Sequence, residues 1–345
     1  MKIRVLTVSS NQNFNAGPKA PRDIINILKK YYDVNPVYLI QSTNTLKKIM
    51  YRLKMLKNVF FSRIKKEVLV LQFPMYENSK LLNKFFMFVL KNANKEKSII
   101  VIHDLEGLRE NNDNILAQEI ARLNMVKYVI VHNDIMKKYL QEKGVKSKIY
   151  TLEIFDYLCE NEESKRNIDD KNKQIVYAGN LLEAKSPFLY QIKDEKIDFT
   201  LNLYGVGLKD EKNCKNIKYM GKFPPDELPN KIEGNIGLIW DGNMDESDEH
   251  IGMKRYTKYN NPHKLSCYMA TGIPVIVWKK SAIAKFVSEN NIGYTISSIY
   301  DINNIKLDEY NKKLKNVENI KNNIRNGYYT HKVFNDIIKD MKGEK

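Results

Sequence analysis

The sequence has little cysteine, histidine or tryptophan, with three, five and two residues of each among 345. Cys159, Cys214 and Cys267 stand far apart and are odd in number, which excludes a disulfide framework and a cysteine-based zinc site. No run approaches the roughly 18 consecutive apolar residues that a membrane-spanning helix needs. The first apolar run, residues 1–6, is too short for a signal peptide. These absences predict a reduced, cytoplasmic protein without a transmembrane helix.

What the sequence has instead is positive charge. Its 57 basic and 41 acidic residues give a net charge of +16. The hydrophobic fraction of 43% is ample for a folded core, so this charge belongs to a soluble surface rather than to a disordered chain. Such an excess implies an anionic partner, and nucleic acid, anionic lipid and a nucleotide diphosphate all qualify. The charge alone does not choose among them.

Apolar, β-branched segments alternate with helical patterns along most of the chain. Strands are predicted at residues 3–8, 37–40, 68–73, 98–103, 126–131, 149–154, 174–180, 199–204, 236–240 and 275–278. The charged run 160–173 lacks apolar periodicity and marks a linker between two domains, which we place at residues 1–158 and 172–327. The pattern predicts an α/β fold with two Rossmann-like domains, whose parallel strands bind ligands at their carboxyl ends.

The segment from residue 256 to residue 298 contains the most specific functional signal. A helix is predicted to open at Pro262, with Asn261 as its cap and proline at its first position. Lys264 lies in the first turn, where the helix dipole is already positive, and His263 beside it can add a hydrogen bond. This arrangement is typical of phosphate binding. The alternative is an ordinary capped helix whose apolar residues pack on a sheet.

Four parts of this segment resemble a known family. They are YNNPHKLS (residues 259–266), GIPVIVW (residues 272–278), Ala282-Ile283-Ala284 with Phe286, and NIGY (residues 291–294). Together they resemble the nucleotide-sugar-binding half of a GT-B glycosyltransferase, and more narrowly the bacterial family of glucosyltransferase 3-type enzymes and β-1,6-galactofuranosyltransferases. The resemblance implies a GT-B fold, with two Rossmann-like domains whose parallel sheets face a cleft. It also implies that a C-terminal helix at about residues 328–345 packs back on the first domain.

The resemblance also implies a donor site at the strand ends of the second domain. The expected donor-binding residues are Lys264, Asn261, Pro262, His263, Asn180, Lys185, Tyr204, Gly205, Gly207 and Asp241. In the family, a glycine loop with a basic residue near the position of Lys185 lies under the donor diphosphate. Gly205 and Gly207 let backbone approach a ligand closely, and we expect Tyr204 to pack against a base or sugar. The polar loop 243–258 either closes over the donor sugar or is a solvated excursion.

Two further groups of residues are expected in the first domain. Gly17 and Lys19 lie in a loop that, by the resemblance, faces the cleft, although an ordinary strand-to-helix connection explains them equally. Asp104 and His103 follow a strand, where either can act as general base towards an acceptor hydroxyl if transfer inverts the anomeric centre. A capping aspartate beside a core histidine is the alternative. Asp104 and Glu106 also resemble the metal-binding carboxylates of GT-A transferases, but without a second ligand set we expect no metal and no cofactor.

Residues 45–66 interleave basic and apolar side chains at helical spacing. Such a helix either contacts an anionic membrane at the inner face or packs on the core with a solvated basic face. We interpret the chain as an enzyme that transfers glucose, galactose or galactofuranose from a UDP-sugar to a saccharide, glycoprotein or lipid-linked acceptor. The alternatives are a noncatalytic nucleotide-sugar-binding partner of another transferase and a nucleic-acid-binding protein, although no nucleic-acid-binding signature is present. Homo-oligomerisation is left open.

Overall fold

The computed structural model describes residues 1–9, 17–40, 67–74, 80–159, 172–209 and 214–344. Its described residues divide into two compact units, the first made of those up to Glu153 together with those from Tyr329 onwards and the second of those from Ile154 to Tyr328. The second unit therefore begins at Ile154, earlier in the chain than the sequence pattern placed it. The C-terminal segment from Tyr329 belongs to the first unit.

Each unit is built on a parallel sheet of six described strands. The first sheet contains β1 (Lys2–Ser9), β2 (Asp33–Ile40), β3 (Val68–Phe73), β4 (Ser98–Ile102), β5 (Tyr128–Val131) and β6 (Lys148–Thr151), in the order β2-β1-β3-β4-β5-β6. The second contains β7 (Gln174–Asn180), β8 (Thr200–Val206), β9 (Ile217–Gly221), β10 (Ile236–Ile239), β11 (Val275–Trp278) and β12 (Gly293–Ile296), in the order β12-β11-β10-β7-β8-β9. This is the doubly wound α/β architecture that the sequence predicted.

Helices connect the strands. Those of the first unit are α1 (Lys19–Tyr31), α2 (Lys80–Asn92), α3 (Glu106–Arg109), α4 (Asp113–Leu123) and α5 (Asp134–Glu142). Those of the second unit are α6 (Phe188–Gln191), α7 (Leu228–Lys231), α8 (Gly252–Tyr256), α9 (His263–Thr271), α10 (Ile283–Glu289) and α11 (Tyr310–Asn326), before the C-terminal α12 (Tyr328–Lys342). No helix among these described elements is long and apolar enough to cross a membrane.

The strands form where the sequence is apolar and β-branched. Every residue of β3 and of β4 is buried, as expected for parallel strands that helices cover on both faces. β1 pairs with β2 over its whole length, from Lys2 opposite Asp33 to Ser9 opposite Ile40. Because all of these strands run in one direction, their carboxyl ends lie along one edge of the sheet.

The C-terminal helix α12 buries its apolar face and contacts β6 through its polar side. Its apolar face is buried through Val333, Phe334 and Ile337. On its polar side, Asp340 accepts a hydrogen bond from the hydroxyl of Tyr150 at 3.1 Å and pairs with Lys148 at 2.9 Å. Both partners belong to β6, so this helix packs within the first unit.

Helix α9 begins one residue later than the sequence predicted. Pro262 has a ψ of 138°, which is extended, so it precedes the helix and His263 is the first helical residue. Asn261 therefore does not occupy the capping position. The helix ends at Gly272, whose φ of 86° is left-handed and whose amide donates to the carbonyl of Tyr268 at 3.0 Å. The turn that follows leads directly into β11.

Candidate functional site

The second sheet has a gap where its strand order reverses. β10 pairs with β7 only through Ile236 and Gly237, although β7 continues to Asn180. The hydroxyl of Tyr268, from α9, lies in this gap: it accepts a hydrogen bond from the amide of Ala178 at 2.8 Å and lies 3.1 Å from the carbonyl oxygen of Val176. In sheets of this type, ligands bind at the switch point between the two central strands. Tyr268 thus fixes α9 over the expected binding edge.

Glycine at position 237 makes this contact possible. A Cβ atom at Gly237 would lie 2.4 Å from the ring of Tyr268, closer than any real carbon contact. The aromatic ring therefore rests directly on the backbone of β10. In the buried strand Ile-Gly-Leu-Ile, the absence of a side chain at the glycine leaves the space that the tyrosine ring occupies.

Lys264 lies one helical turn before Tyr268 and on the same face of α9. Its ammonium nitrogen is 3.0 Å from Oδ1 of Asp241, 3.2 Å from the hydroxyl oxygen of Tyr177 and 3.4 Å from the carbonyl oxygen of Trp240. Burial lowers the pKa of Lys264, but Asp241 and Tyr177 outweigh it and raise that pKa well above its ordinary value. The lysine is therefore a permanent cation at the switch point.

A directed chain of hydrogen bonds holds Tyr177 in place. Because Lys264 donates to its hydroxyl, Tyr177 donates onward to Oγ of Ser186 at 2.6 Å, and Ser186 donates to the carbonyl of Asn180 at 2.7 Å. Burial raises the pKa of Tyr177, so this hydroxyl stays protonated. The chain ties the lysine to the loop that follows β7.

The three glycines at these strand ends have different neighbours. A Cβ atom at Gly179 would lie 3.0 Å from Cε of Lys264, so this glycine makes room for the lysine. A Cβ atom at Gly205 would lie 1.8 Å from the carbonyl oxygen of Gly179, and one at Gly207 would lie 2.6 Å from Cγ of Leu182. Packing within the protein therefore accounts for Gly205 and Gly207, which were predicted to admit a ligand.

The other predicted donor-site residues differ in how far they are exposed and in what they contact. Asn180 and Lys185 are exposed, and the side chain of Asn180 accepts a hydrogen bond from the amide of Leu182 at 3.0 Å. The ring of His263 packs against Tyr157, with 5.0 Å between ring centroids. Asn261 is buried and Pro262 half-buried at the start of α9.

Tyr204 requires a correction. Only 2% of it is exposed, and its hydroxyl accepts a hydrogen bond from the amide of Glu233 at 2.8 Å. Its ring lies in the core, 6.2 Å from that of Phe223, rather than on a surface that a base or sugar can reach. β8 is buried on both faces, so the strand period did not reveal which way this tyrosine points.

The polar loop after β10 is anchored to the body of the unit. The indole nitrogen of Trp240 donates to the carbonyl of Asn243 at 2.6 Å, and that of Trp278 donates to Oε1 of Glu246 at 2.9 Å. Lys280 pairs with the same glutamate at 2.9 Å. Hydrogen bonds from both tryptophans of the chain thus hold this loop against the second unit, so it does not extend freely into solvent.

In the first unit, polar residues meet at the ends of β3 and β4. Nε2 of His103 lies 2.6 Å from Oε1 of Gln72, whose amide nitrogen donates to the carbonyl of Pro21 at 2.8 Å. The buried His132 follows β5, and burial lowers its pKa to about 4 although Asp104 raises it. The sequence patterns singled out His103 and Asp104 but not His132.

The acidic residues after β4 are compensated locally. Arg109 pairs with Glu106 and lies 3.8 Å from Asp104. The buried Glu119 accepts hydrogen bonds from the amides of Glu106 at 2.8 Å and Gly107 at 3.0 Å. Within the described ranges, no group of three or more histidine, cysteine, aspartate or glutamate side chains is arranged to hold a metal ion. Arg109 offsets part of the negative charge of this segment.

Lys19, at the start of α1, also differs from expectation. Only 1% of it is exposed, and its ammonium lies 2.9 Å from Oδ2 of Asp23. The pair with Asp23 neutralises this buried cation within its own helix. The neighbouring Gly17 is exposed. Lys19 therefore does not present its charge to solvent as a residue lining a cleft would.

Comparison with known proteins agrees with these features. Family models for the N-terminal and C-terminal domains of glucosyltransferase 3-like proteins match residues 2–154 and 175–337. The β-1,6-galactofuranosyltransferase WbbI of Escherichia coli (strain K12) is 33% identical over 336 residues, covering 95% of this chain and 96% of that protein. Glucosyltransferase 3 of Streptococcus parasanguinis is 25% identical over 285 residues, covering 79% and 78%.

Among solved structures, HepE of Anabaena in complex with UDP has a TM-score of 0.52 and 15% identity, and the match covers 99% of this chain and 100% of that one. This likeness shows the fold. The family matches confirm the resemblance that the segment 256–298 indicated, and the fold is GT-B as expected. The chain belongs to the glucosyltransferase 3-like family of glycosyltransferases.

Proposed function

We propose that the chain transfers a hexose from a UDP-sugar to a hydroxyl group of a saccharide acceptor, and that Lys264 binds the donor diphosphate. The observation that carries this proposal is the permanent cation of Lys264, held over the switch point of the second sheet in the first turn of α9. Two relatives are named for transfer of galactofuranose and of glucose, and a structural neighbour contains UDP. These names support the class of donor.

The hydrogen bonds of Lys264 indicate how it would engage a phosphate. Its ammonium has three protons, and its contact with the carbonyl of Trp240, at 3.4 Å, is the longest of the three. We expect that proton to turn towards a phosphate oxygen, while Asp241 and Tyr177 keep the nitrogen in place. The backbone amides that open α9 add positive potential in the same direction. Negative charge grows on the diphosphate as the sugar departs, and a fixed cation stabilises it there.

For the acceptor, we propose that Asp104 or His103 receives the proton of the attacking hydroxyl. Both are half-buried at the carboxyl end of β4. Gln72 orients the ring of His103, and Arg109 lies near Asp104, so each has a defined position. A proton acceptor is needed if transfer inverts the anomeric centre. Replacing each residue separately and measuring transfer against UDP binding would identify the base.

We further propose that the protein contacts anionic membrane surfaces from the cytoplasmic side. Residues 45–66, whose sequence suggested this contact, lie outside the described residues. In the same unit, a groove of about 430 Å³ is lined by Lys84, Met87, Phe88, Lys91 and Arg122. Its three cations around two half-buried apolar side chains suit the headgroup region of an anionic lipid layer.

A thermal-shift series tests the donor assignment. The protein is heated with UDP, UDP-glucose, UDP-galactose or UDP-galactofuranose, with EDTA throughout, and then assayed for transfer to saccharide acceptors. We expect UDP to raise the Tm without a metal, because protein groups bind the diphosphate. A requirement for Mn²⁺ or Mg²⁺ would contradict metal-independent binding. Donor binding without turnover by the isolated chain would instead favour a noncatalytic partner of another transferase.

A further inference from the structure

Lys254, in the short helix α8, is a buried cation. Only 1% of it is exposed, and its ammonium lies 3.2 Å from the ring centroid of Trp240 and 4.8 Å from that of Trp278. Among the described residues, its nitrogen has no hydrogen-bond partner. A buried ammonium without an acceptor is costly, and the faces of two tryptophans compensate only part of that cost. The remaining compensation must come from nearby negative charge.

That negative charge comes from the loop between β10 and α8. Burial is the largest influence and lowers the pKa of Lys254 to about 8, while the carboxylates of Asp248, Asp241, Glu246 and Asp245 raise it. A second cation, the ammonium of Lys258, lies 5.5 Å from the ring centroid of Trp278. The charges that face Lys254 are therefore mainly acidic.

Asp248 is fixed by the backbone of this loop. Its Oδ2 accepts a hydrogen bond from the amide of Asn243 at 2.9 Å, and a Cβ atom at Gly242 would lie 2.2 Å from the same oxygen. Glu246 is fixed by Trp278 and Lys280. The carboxylates around Lys254 therefore cannot move far if its charge is lost.

Trp240 and Asp241 connect Lys254 to the donor site. The ring of Trp240 contacts the ammonium of Lys254, the carbonyl oxygen of Trp240 lies 3.4 Å from the ammonium of Lys264, and Asp241 pairs with Lys264 at 3.0 Å. Asp248, Glu246 and Asp245 add further negative charge around Lys254. Loss of the Lys254 charge would therefore make the potential around Asp241 and Lys264 more negative and less favourable for an anion.

We propose that Lys254 is a positioning residue for donor binding: held between Trp240 and Trp278, it adds to the positive potential that Lys264, in contact with the carbonyl of Trp240, presents to a nucleoside diphosphate. This inference rests on the proposed function, in which Lys264 binds that diphosphate. It adds a charge-setting residue that does not itself touch the ligand. The donor affinity of the protein should consequently depend on pH in a range where the ligand does not titrate.

The range is defined by the neighbouring groups. The pKa values of Lys264 and Tyr177 are both raised above their ordinary values. The last ionisation of a terminal phosphate falls near pH 6. Between about pH 7 and about pH 9, ordinary lysines stay charged and ordinary carboxylates stay ionised. Ordinary cysteines titrate near pH 8.5, so a change in UDP affinity within this range reports on Lys254 only where Lys254→Arg abolishes it.

The test is calorimetric titration of UDP at several pH values. The variants are Lys254→Met, which removes the charge but keeps the apolar stem, Lys254→Arg, which keeps the charge at every pH, and the control Lys285→Met, at an exposed lysine of the same unit. We expect wild-type affinity to fall by about three- to tenfold as Lys254 deprotonates, because one unit charge acts through a partly screened medium. Lys254→Met should bind weakly at every pH, and Lys254→Arg tightly at every pH.

The outcomes separate this inference from the proposal on which it rests. Wild-type binding that is independent of pH, or a Lys254→Met variant with wild-type affinity and pH dependence, would overturn the role of Lys254 alone. Absence of UDP binding to the wild type would overturn the donor site and this inference with it. If Lys254→Met does not fold, the comparison of wild type with Lys254→Arg decides, because arginine stays charged and the pH step must vanish.

Discussion

The hydroxyl of Tyr268 accepts the amide hydrogen of Ala178 at 2.8 Å, on the side of β7 where the pairing with β10 has already ended. One side chain from α9 thus substitutes for a missing strand contact. Because Lys264 lies on the same helix face one turn earlier, the contact that closes the sheet also places the cation. If Lys264 binds the donor as proposed, stability and donor binding are coupled through this tyrosine.

Tyr268→Phe should lower both stability and UDP affinity. It leaves the buried amide of Ala178 without an acceptor, which costs about 1–3 kcal/mol. It also removes the hydrogen bond that holds α9 against β7. Tyr310→Phe is a matched control, because that buried hydroxyl donates to the carbonyl of Asn235 at 2.9 Å elsewhere in the same unit. Denaturant unfolding and UDP titration of both variants check this. Equal losses of affinity in the two variants would show that only general destabilisation matters.

Lys264→Ala should weaken UDP binding by about one to two powers of ten, since a charge-assisted contact to phosphate contributes roughly 1.5–3 kcal/mol. Turnover should fall at least as far if charge on the leaving group grows in the transition state. The sequence pattern suggested a surface lysine whose loss would leave stability intact. The ion pair with Asp241 changes this expectation, because the variant leaves a half-buried carboxylate unpaired. Wild-type UDP affinity in the variant would mean that the donor site lies elsewhere.

Gly179→Ala should weaken UDP binding with little change in Tm. Its new Cβ would meet the flexible Cε of Lys264 at 3.0 Å, and the lysine tail can move aside without opening the core. If Gly179 acts only through Lys264, the double variant Gly179→Ala/Lys264→Ala should bind UDP no more weakly than Lys264→Ala alone. Additive losses would indicate that Gly179 contacts the donor directly.

Glu119→Gln should change how stability depends on pH. Burial raises the pKa of Glu119 to about 7, above its ordinary value, so the stability that its proton supplies is complete at low pH and is lost as pH rises through about 7. Relative to the non-titrating variant, the wild type should lose up to about 3 kcal/mol between pH 4 and pH 8. The exposed Glu142→Gln serves as control. Parallel Tm curves for the wild type and Glu119→Gln would contradict this prediction.

The membrane proposal predicts that vesicles rich in anionic lipid sediment the protein at low salt and release it as salt screens the charges. Lys84→Ala with Lys91→Ala should reduce sedimentation if the groove contributes. Lys138→Ala with Lys146→Ala, at exposed positions of the same unit, is the charge-matched control. Equal sedimentation with neutral vesicles would remove the electrostatic argument.

The sequence predicted the fold well because its strands are long apolar runs between clear helical patterns. It also indicated that the helix after Pro262 lies at a ligand-binding edge. It did not reveal that Asp241 pairs with Lys264, because these residues belong to separate elements and only the folded sheet brings them together. Tyr177 and Ser186, which orient Lys264, likewise look like ordinary strand and loop residues.

Two errors have simple physical origins. Tyr204 was interpreted as a ligand contact because it precedes a glycine pair, yet a strand covered on both faces gives no sequence cue for the direction of one side chain. Lys19 was interpreted as a residue lining a cleft, whereas Asp23, four residues later on the same helix, takes up its charge. In both cases the surrounding packing, which the local motif does not reveal, determines where the side chain lies.

The two tryptophans that fasten the loop after β10 are the only ones in the sequence. All of the intrinsic indole emission of this protein therefore originates beside Lys254, and Trp240 also directly precedes Asp241. An unlabelled sample thus carries its own optical probe of the region, and we expect its fluorescence to respond to a change in the charge of Lys254 and to nucleotide binding at the proposed site.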